Sequence, residues 1–143
     1  MRRRVLLSAL AVASVLAAGE ASAARIVVTI TGLKSSEGGV YVGLYATPSK
    51  FLNGTQVDVM KKVRASTAPI TVVFDNLRPG TYAVGAYHDE NNNDHLDTNF
   101  LGLPTEGYAL SNGVRAVMSK PTFQQAAFTV DDSGAAVTLQ IRY

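Results

Sequence analysis

Oxygen-bearing side chains alternate along one short acidic segment of this 143-residue chain. Its run DENNNDHLD places carboxylate or amide groups at the first, third, fifth and ninth positions. This spacing is typical of loops that turn alternate oxygen atoms toward a calcium ion, with the backbone carbonyl of the seventh residue as a further ligand. The pattern therefore predicts a calcium site with five oxygen ligands. The predicted ligands are Asp89, Asn91, Asn93, His95 and Asp97.

The acidic segment departs from an EF-hand loop at two positions. The sixth position, which favours glycine, holds Asp94, and the twelfth, which usually supplies a bidentate glutamate, holds Phe100. Aspartate tolerates the left-handed backbone that such a turn requires, and Glu106 is a candidate for the missing carboxylate. We therefore expect weak calcium binding, in the range of about 10⁻⁴–10⁻³ M. An Asx-rich turn without an ion and a site for another metal remain alternative interpretations.

Two histidines offer a second chemistry in the same region. His88 and His95 could hold a catalytic metal ion together with Asp97 and Glu106, as in a metal-dependent hydrolase. His88, however, follows an alternating apolar run on its inward face, where a buried and hydrogen-bonded histidine is expected. The chain also contains neither H-E-x-x-H nor G-x-S-x-G. A non-catalytic protein is therefore the preferred interpretation, and the hydrolase is the alternative.

The beginning of the chain has the composition of a secretory signal. Three arginines at 2–4 precede an apolar run at 5–18, and Ala21-Ser22-Ala23 places small residues before a cleavage point. The apolar run is too short to cross a bilayer as a helix. We therefore predict a signal peptide over 1–23 and one domain over 24–143. The predicted protein is exported to the periplasm or the extracellular space and has no membrane span after cleavage.

Charge and cysteine content exclude several classes of protein. The chain holds 13 Lys and Arg against 11 Asp and Glu; the predicted signal contains three of the arginines and Glu20, so ten residues of each sign remain. A neutral domain lacks the positive charge of nucleic-acid-binding proteins. The absence of cysteine excludes disulfides and thiolate metal sites.

The elements that must position the acidic segment alternate between apolar and polar residues with a period of two. Clear alternation occurs at 26–31, 40–45, 70–74, 82–86 and 137–141, and weaker alternation at 57–64, 114–118 and 127–130. Brief helical patterns occur at 48–52 and 121–126. Turn residues separate the runs. Seven or eight short strands predict an all-β fold, a single antiparallel β-sandwich.

Two parts of the sequence resemble known families. The run FDNLRPGTYAV at 74–84 resembles the F-x-x-L-x-P-G-x-Y-x-V pattern of transthyretin-like sandwiches, which include collagen-adhesin B-type domains. The runs YHDEN and LDTNFLGLPTEGY resemble the signature of the bacterial domain-of-unknown-function family 2141, and ITGLK, GVYV, PTF and AAF resemble its other segments. This second resemblance extends from about Arg25 to Tyr143. It implies a small exported bacterial protein, and it implies no established activity.

These observations favour an exported, non-catalytic module whose acidic loop is ordered by calcium. Its expected partner is a protein or a glycan. A carrier of a small apolar ligand is a further alternative, but the inner faces of a sandwich this small are expected to pack against each other and leave little cavity.

Overall fold

The computed structural model describes residues 23–54 and 56–143. These residues contain eight strands and one short α-helix. The elements are β1 (Ala24–Thr31), β2 (Gly39–Tyr45), β3 (Val59–Arg64), β4 (Ile70–Leu77), β5 (Gly80–Asp89), β6 (Tyr108–Leu110), α1 (Phe123–Ala126), β7 (Phe128–Val130) and β8 (Ala135–Gln140). Short 3₁₀ segments lie at Pro48–Lys50 and Ser111–Gly113.

The strands are arranged in two sheets. Sheet A has the order β4-β1-β8, and sheet B has the order β3-β2-β5-β6, with β7 paired to the beginning of β5. All strand pairs are antiparallel except β1 and β8, which run parallel from Ile26–Ala135 to Thr31–Gln140. The predicted all-β sandwich is therefore confirmed, with one parallel pair where antiparallel pairing was expected. The transthyretin-like topology stays a prediction.

The main core lies between the two sheets. Ile26 and Val28 of β1 and Leu139 of β8 are fully buried from the side of sheet A, and Val42 and Val84 are fully buried from the side of sheet B. Each strand contributes alternate residues to this core because successive side chains of a strand point to opposite faces. The alternation in the sequence therefore identified the inward face correctly.

A second apolar cluster covers the outer face of sheet B. Tyr45 packs edge-on against Phe51 with 5.2 Å between the ring centroids, and Phe51 packs in the same way against Phe123 at 5.9 Å. Leu110 and Ala83 belong to the same cluster. The segment that follows β2 and the helix α1 thus bury a face of sheet B that would otherwise meet solvent.

Most predicted elements are confirmed, and one predicted strand is wrong. The weak candidates at 57–64 and 127–130 contain β3 and β7, and both helical patterns contain a short helical segment. Residues 114–118, however, form no strand, and the strand in this region is β6. Val117 and Met118 are 80% and 98% exposed, so their apolar character did not reflect burial.

The predicted signal peptide lies outside the described residues except for Ala23. The strand β1 begins at Ala24, the residue that follows the predicted cleavage point, and Ala24 is buried. Within the described ranges, no helix has the length and apolar character needed to cross a membrane.

Candidate functional site: the acidic loop after β5

The acidic loop begins where β5 ends and occupies one end of the sandwich. Asp89 is the last residue of β5 and pairs with Gly39 of β2. Gly38 has a φ of +69°, and a Cβ at this position would overlap the carbonyl oxygen of Asp89. At the other end of the segment, the backbone N–H of His88 donates to Gly107 at 2.8 Å. The base of the loop is therefore fixed on both sides.

The carboxylate of Asp89 lies at the centre of the loop and is fully buried. Its Oδ1 accepts the backbone N–H of Asn93 at 3.1 Å, and its Oδ2 accepts that of Asp94 at 3.0 Å. Asn92 and Asp94 have φ values of 56° and 64°. The left-handed turn that the sequence required at the sixth position of the loop is therefore present, and it bends the backbone around the buried carboxylate.

Three further predicted ligands converge in the same loop. The side-chain amides of Asn91 and Asn93 donate to the two oxygens of Asp97 at 2.7 and 2.8 Å. The amide oxygen of Asn91 accepts the N–H of Asn93, and that of Asn93 accepts the N–H of His95, so each asparagine also forms an Asx turn. The Asx turns of the alternative interpretation are therefore present, and the amide nitrogens of Asn91 and Asn93 face Asp97; the calcium site stays a prediction.

Glu106 ties the two ends of the acidic loop together. This side chain is only 6% exposed, and its Oε1 and Oε2 accept the backbone N–H groups of Glu90 and Asp97 at 3.1 and 3.0 Å. The residue approaches the loop, as the sequence allowed, but both carboxylate oxygens already bind the backbone. Its observed contacts are those of a clamp that holds the loop closed.

The two histidines do not form a metal cluster with the neighbouring carboxylates. His88 is fully buried, and its Nε2 lies 2.7 Å from the carbonyl oxygen of Glu37, which only accepts, so Nε2 carries the proton. Its Nδ1 then accepts the hydroxyl of Tyr143 at 2.5 Å. Both ring nitrogens are thereby occupied, as expected for a buried structural histidine. Among residues 23–54 and 56–143, no three His, Asp or Glu side chains are grouped so that they could hold a metal ion.

Two lysines outside the loop pair with two of its carboxylates. Lys62 of β3 lies 2.6 Å from Asp94, which also accepts the hydroxyl of Tyr41. The hydrogen bond with Asp94 raises the pKa of Lys62, and the bonds from Lys62 and Tyr41 lower the pKa of the Asp94 carboxyl. On the other side, Lys34 lies 2.9 Å from Glu90. These pairs were not predictable from local patterns, because the partners are far apart along the chain.

The segment after the acidic loop presents apolar side chains to solvent. The amide oxygen of Asn99 accepts the N–H groups of Leu101 and Leu103 at 2.9 and 3.1 Å, which closes a tight turn. At the apex of this turn, Phe100 is 95% exposed and Leu101 is 68% exposed. Adjacent exposed apolar residues of this kind are typical of surfaces that contact other molecules.

Comparison with known proteins identifies the family of the chain. Neither a curated protein nor a solved structure gives a significant match. The model of one bacterial family, described as "Uncharacterized protein conserved in bacteria (DUF2141)", matches residues 28–138, which include most of both sheets and the whole acidic loop. This match extends over most of the sequence and agrees with the resemblance of the acidic segment and its flanking strands. The chain therefore belongs to the DUF2141 family of bacterial proteins.

Proposed function

We propose that this protein is an exported, non-catalytic binding module whose acidic loop is ordered by a bound calcium ion. The observation that carries the calcium part is the left-handed turn at Asp94, with a φ of 64°. This turn occurs at the position where calcium loops need a sharp reversal, and here an aspartate adopts it. The side chains on either side of the turn converge, which is the arrangement an oxygen-coordinated ion requires.

The set of donors fits a hard cation. Asp89 and Asp97 would offer carboxylates, Asn91 and Asn93 amide oxygens, and His95 its backbone carbonyl. Coordination would replace hydrogen bonds that these side chains make within the loop. Calcium takes 6–8 oxygen ligands, so water would complete the coordination. The loop contains no sulfur-bearing side chain, and both ring nitrogens of His88 are already hydrogen-bonded, which argues against a soft metal in this loop.

Charge gives calcium a physical role in this loop. Four carboxylates, those of Asp89, Glu90, Asp94 and Asp97, lie within nine residues. Lys34 and Lys62 pair with the carboxylates of Glu90 and Asp94. Asp89 and Asp97 contact only uncharged N–H donors, and a bound cation would balance their charge.

The proposed role as a binding module is supported by the exposed apolar turn beside the loop. Phe100 and Leu101 project from a turn that is fixed by Asn99, so an incoming partner would meet them without a large ordering cost. A protein or a glycan is the expected partner. The arginines and the apolar run at the start of the chain support export. The lack of an H-E-x-x-H and of a G-x-S-x-G motif in the sequence supports a non-catalytic role.

The experiment that tests calcium binding measures the melting temperature of the purified protein in chelator and in about 10 mM calcium. With a Kd near 10⁻⁴ M, calcium should stabilise the fold by about 2.7 kcal/mol, which corresponds to several degrees. About 10 mM magnesium should have a much smaller effect, because magnesium requires a smaller and more regular site. Equal melting temperatures in chelator and calcium would refute the calcium site.

Two variants separate coordination from general charge effects. Asp97→Asn removes a predicted ligand and should abolish most of the calcium-dependent shift. Asp94→Asn removes a carboxylate from the same loop, keeps a residue that tolerates positive φ, and should retain the shift. If both variants lose the shift equally, calcium acts by screening charge and does not bind as proposed.

A further inference from the structure

The segment between β6 and α1 holds two adjacent apolar side chains out in solvent. Val117 is 80% exposed and Met118 is 98% exposed, and we call this pair the apolar tip. Neither residue belongs to the main core or to the cluster outside sheet B. Because covering apolar surface is favourable in water, the apolar tip gains free energy from any molecule that takes it out of solvent.

Contacts on both sides of the apolar tip attach its loop to the sandwich. Before the tip, Arg115 donates to the carbonyl of Tyr108 at 3.0 Å, and the N–H of Ala116 donates to the hydroxyl of the same tyrosine at 3.0 Å. After the tip, Lys120 donates to the carbonyl of Leu52. The two apolar side chains are therefore carried on a short loop that is anchored at both ends.

Positive charge flanks the apolar tip. Arg115 lies two residues before it and Lys120 two residues after it, and Arg142 lines the same groove as Arg115. The hydrogen bonds of these three side chains go to carbonyl or amide oxygens, and within the described residues none of the three pairs with a carboxylate. The sequence contains no aspartate or glutamate from 107 to 130. The charge of the loop is therefore available to an anionic partner.

An apolar tip between cations is complementary to the surface of an anionic bilayer. Segments that lie in the membrane interface bury apolar side chains about 5–10 Å into the boundary between headgroups and acyl chains. Lysine and arginine beside such side chains stay at the level of the lipid phosphates and are attracted by them. A stable protein interface needs about 800 Å² from each partner, which is more than two side chains supply. A fluid bilayer needs no surface of matching shape.

We propose that the loop 115–120 binds the surface of an anionic phospholipid bilayer, with the apolar tip inserted below the headgroups and Arg115 and Lys120 at the phosphates. The protein then lies on the membrane without crossing it. This surface belongs to a different segment from the acidic loop and is additional to the proposed binding module. Its binding to lipid therefore does not require calcium.

The test mixes the protein, purified in its exported form, with vesicles in chelator and separates bound from free protein by flotation. One set of vesicles contains phosphatidylcholine with about 30% phosphatidylglycerol, and the other contains phosphatidylcholine alone. Wild type should bind the anionic vesicles at least about tenfold more tightly, and about 0.5 M salt should remove most of this difference by screening. Arg115→Gln combined with Lys120→Gln should also remove most of the preference.

A matched pair of variants locates the inserted side chains. Val117→Ser combined with Met118→Ser should weaken binding to anionic vesicles at least about tenfold, because the apolar surface is lost. Phe100→Ser removes an apolar side chain that is 95% exposed in a different turn, and this variant should bind like wild type. All three substitutions are at exposed positions, and equal melting temperatures confirm that the fold is retained.

A fluorescent reporter measures insertion directly. The chain contains no tryptophan, so Met118→Trp introduces a single indole. Its emission should shift to shorter wavelength on anionic vesicles and should be quenched by lipids with brominated acyl chains. Phe100→Trp provides the control, and its emission should change in neither way.

Several results would refute the proposal. One is the absence of vesicle binding up to about 5 mM lipid, well above the roughly 0.1 mM at which a single myristoyl chain binds. Others are equal binding to anionic and neutral vesicles, or equal losses in Phe100→Ser and the double serine variant. A dimer in sedimentation that dissociates in the double serine variant, without vesicle binding, would refute it in favour of a second copy of this chain. The calcium proposal is tested separately by melting temperature.

Discussion

Gly38 and Asp89 are in such close contact that a side chain at position 38 has no room: its Cβ would overlap the carbonyl oxygen of Asp89. The same contact holds the end of β5 against the turn that precedes β2. Since Asp89 also anchors the acidic loop through its buried carboxylate, this glycine determines the position of the loop although it belongs to a different turn.

We predict that Gly38→Ala destabilises the fold by about 3 kcal/mol or more, because a steric clash adds to the cost of a left-handed alanine. Gly102→Ala is the control: Gly102 has a φ of +75°, but no atom lies within 4 Å of its hypothetical Cβ. This control should cost only about 1 kcal/mol. Urea unfolding of both variants measures the difference. Equal losses would show that the contact with Asp89 can relax freely.

A second prediction concerns Tyr82, which is 8% exposed in the main core and whose hydroxyl donates to the carbonyl of Arg78 at 2.7 Å. Tyr82→Ala should destabilise by about 3–5 kcal/mol, the range for removal of a large buried aromatic side chain. Tyr82→Phe keeps the ring and should cost only about 1 kcal/mol, the value of one hydrogen bond. A loss below about 1 kcal/mol for the alanine variant would contradict the assigned burial.

The loss of folding stability at low pH should depend on Asp58. Desolvation raises the pKa of this carboxyl, but bonds from Lys50 and from the N–H groups of Ala46 and Thr47 outweigh it and lower the pKa to about 2. A carboxyl whose pKa is lowered by folding stabilises the fold above its unfolded pKa near 4 and loses this contribution as the pH falls toward 2. Asp58→Asn should therefore cost about 1–2 kcal/mol near pH 7.

The pH dependence provides the check on Asp58. The difference between wild type and Asp58→Asn should shrink as the pH is lowered from about 4 to about 2 in urea unfolding experiments. Asp132→Asn changes an exposed carboxylate of the β7–β8 turn and should have little effect at any pH. A difference that stays constant across this pH range would show that Asp58 acts through its shape and not through its charge.

The predicted export can be tested by the mass of the mature protein. Cleavage after Ala23 should yield a protein that begins at Ala24, the first residue of β1. Intact-mass spectrometry of the exported protein should therefore lack residues 1–23. A membrane-bound protein that retains its N-terminus would contradict both the signal peptide and the proposed location.

Local patterns predicted much of the sandwich. Segments such as 26–31 and 82–86 alternate because only one of their faces meets the main core, and this property is visible in sequence. The second cluster outside sheet B was not predictable, because Phe51 and Phe123 reach Tyr45 from distant parts of the chain. The extension of β4 to Leu77 was also missed, since Asp75 and Asn76 have the composition of a turn; Asn76 adopts a φ of 58° within the strand.

The acidic loop was predicted in greater detail than its surroundings. The spacing of Asp89, Asn91, Asn93 and Asp97 also fits an Asx-rich turn with local contacts, and the structure contains Asx turns at Asn91 and Asn93. The ion pair of Lys62 with Asp94 joins the loop to β3, and such contacts follow from the tertiary fold alone.

The parallel pairing of β1 with β8 has a consequence for the order of folding. β1 lies at the centre of sheet A, yet one of its two neighbours is formed by the last part of the chain, residues 135–140. Until that part has been synthesised, one edge of an otherwise apolar strand stays open, and the contact that closes it spans more than a hundred residues. Such long-range closure makes folding slow. Sheet A is therefore completed only after residues 135–140 are available, whereas the strands of sheet B all lie earlier in the chain.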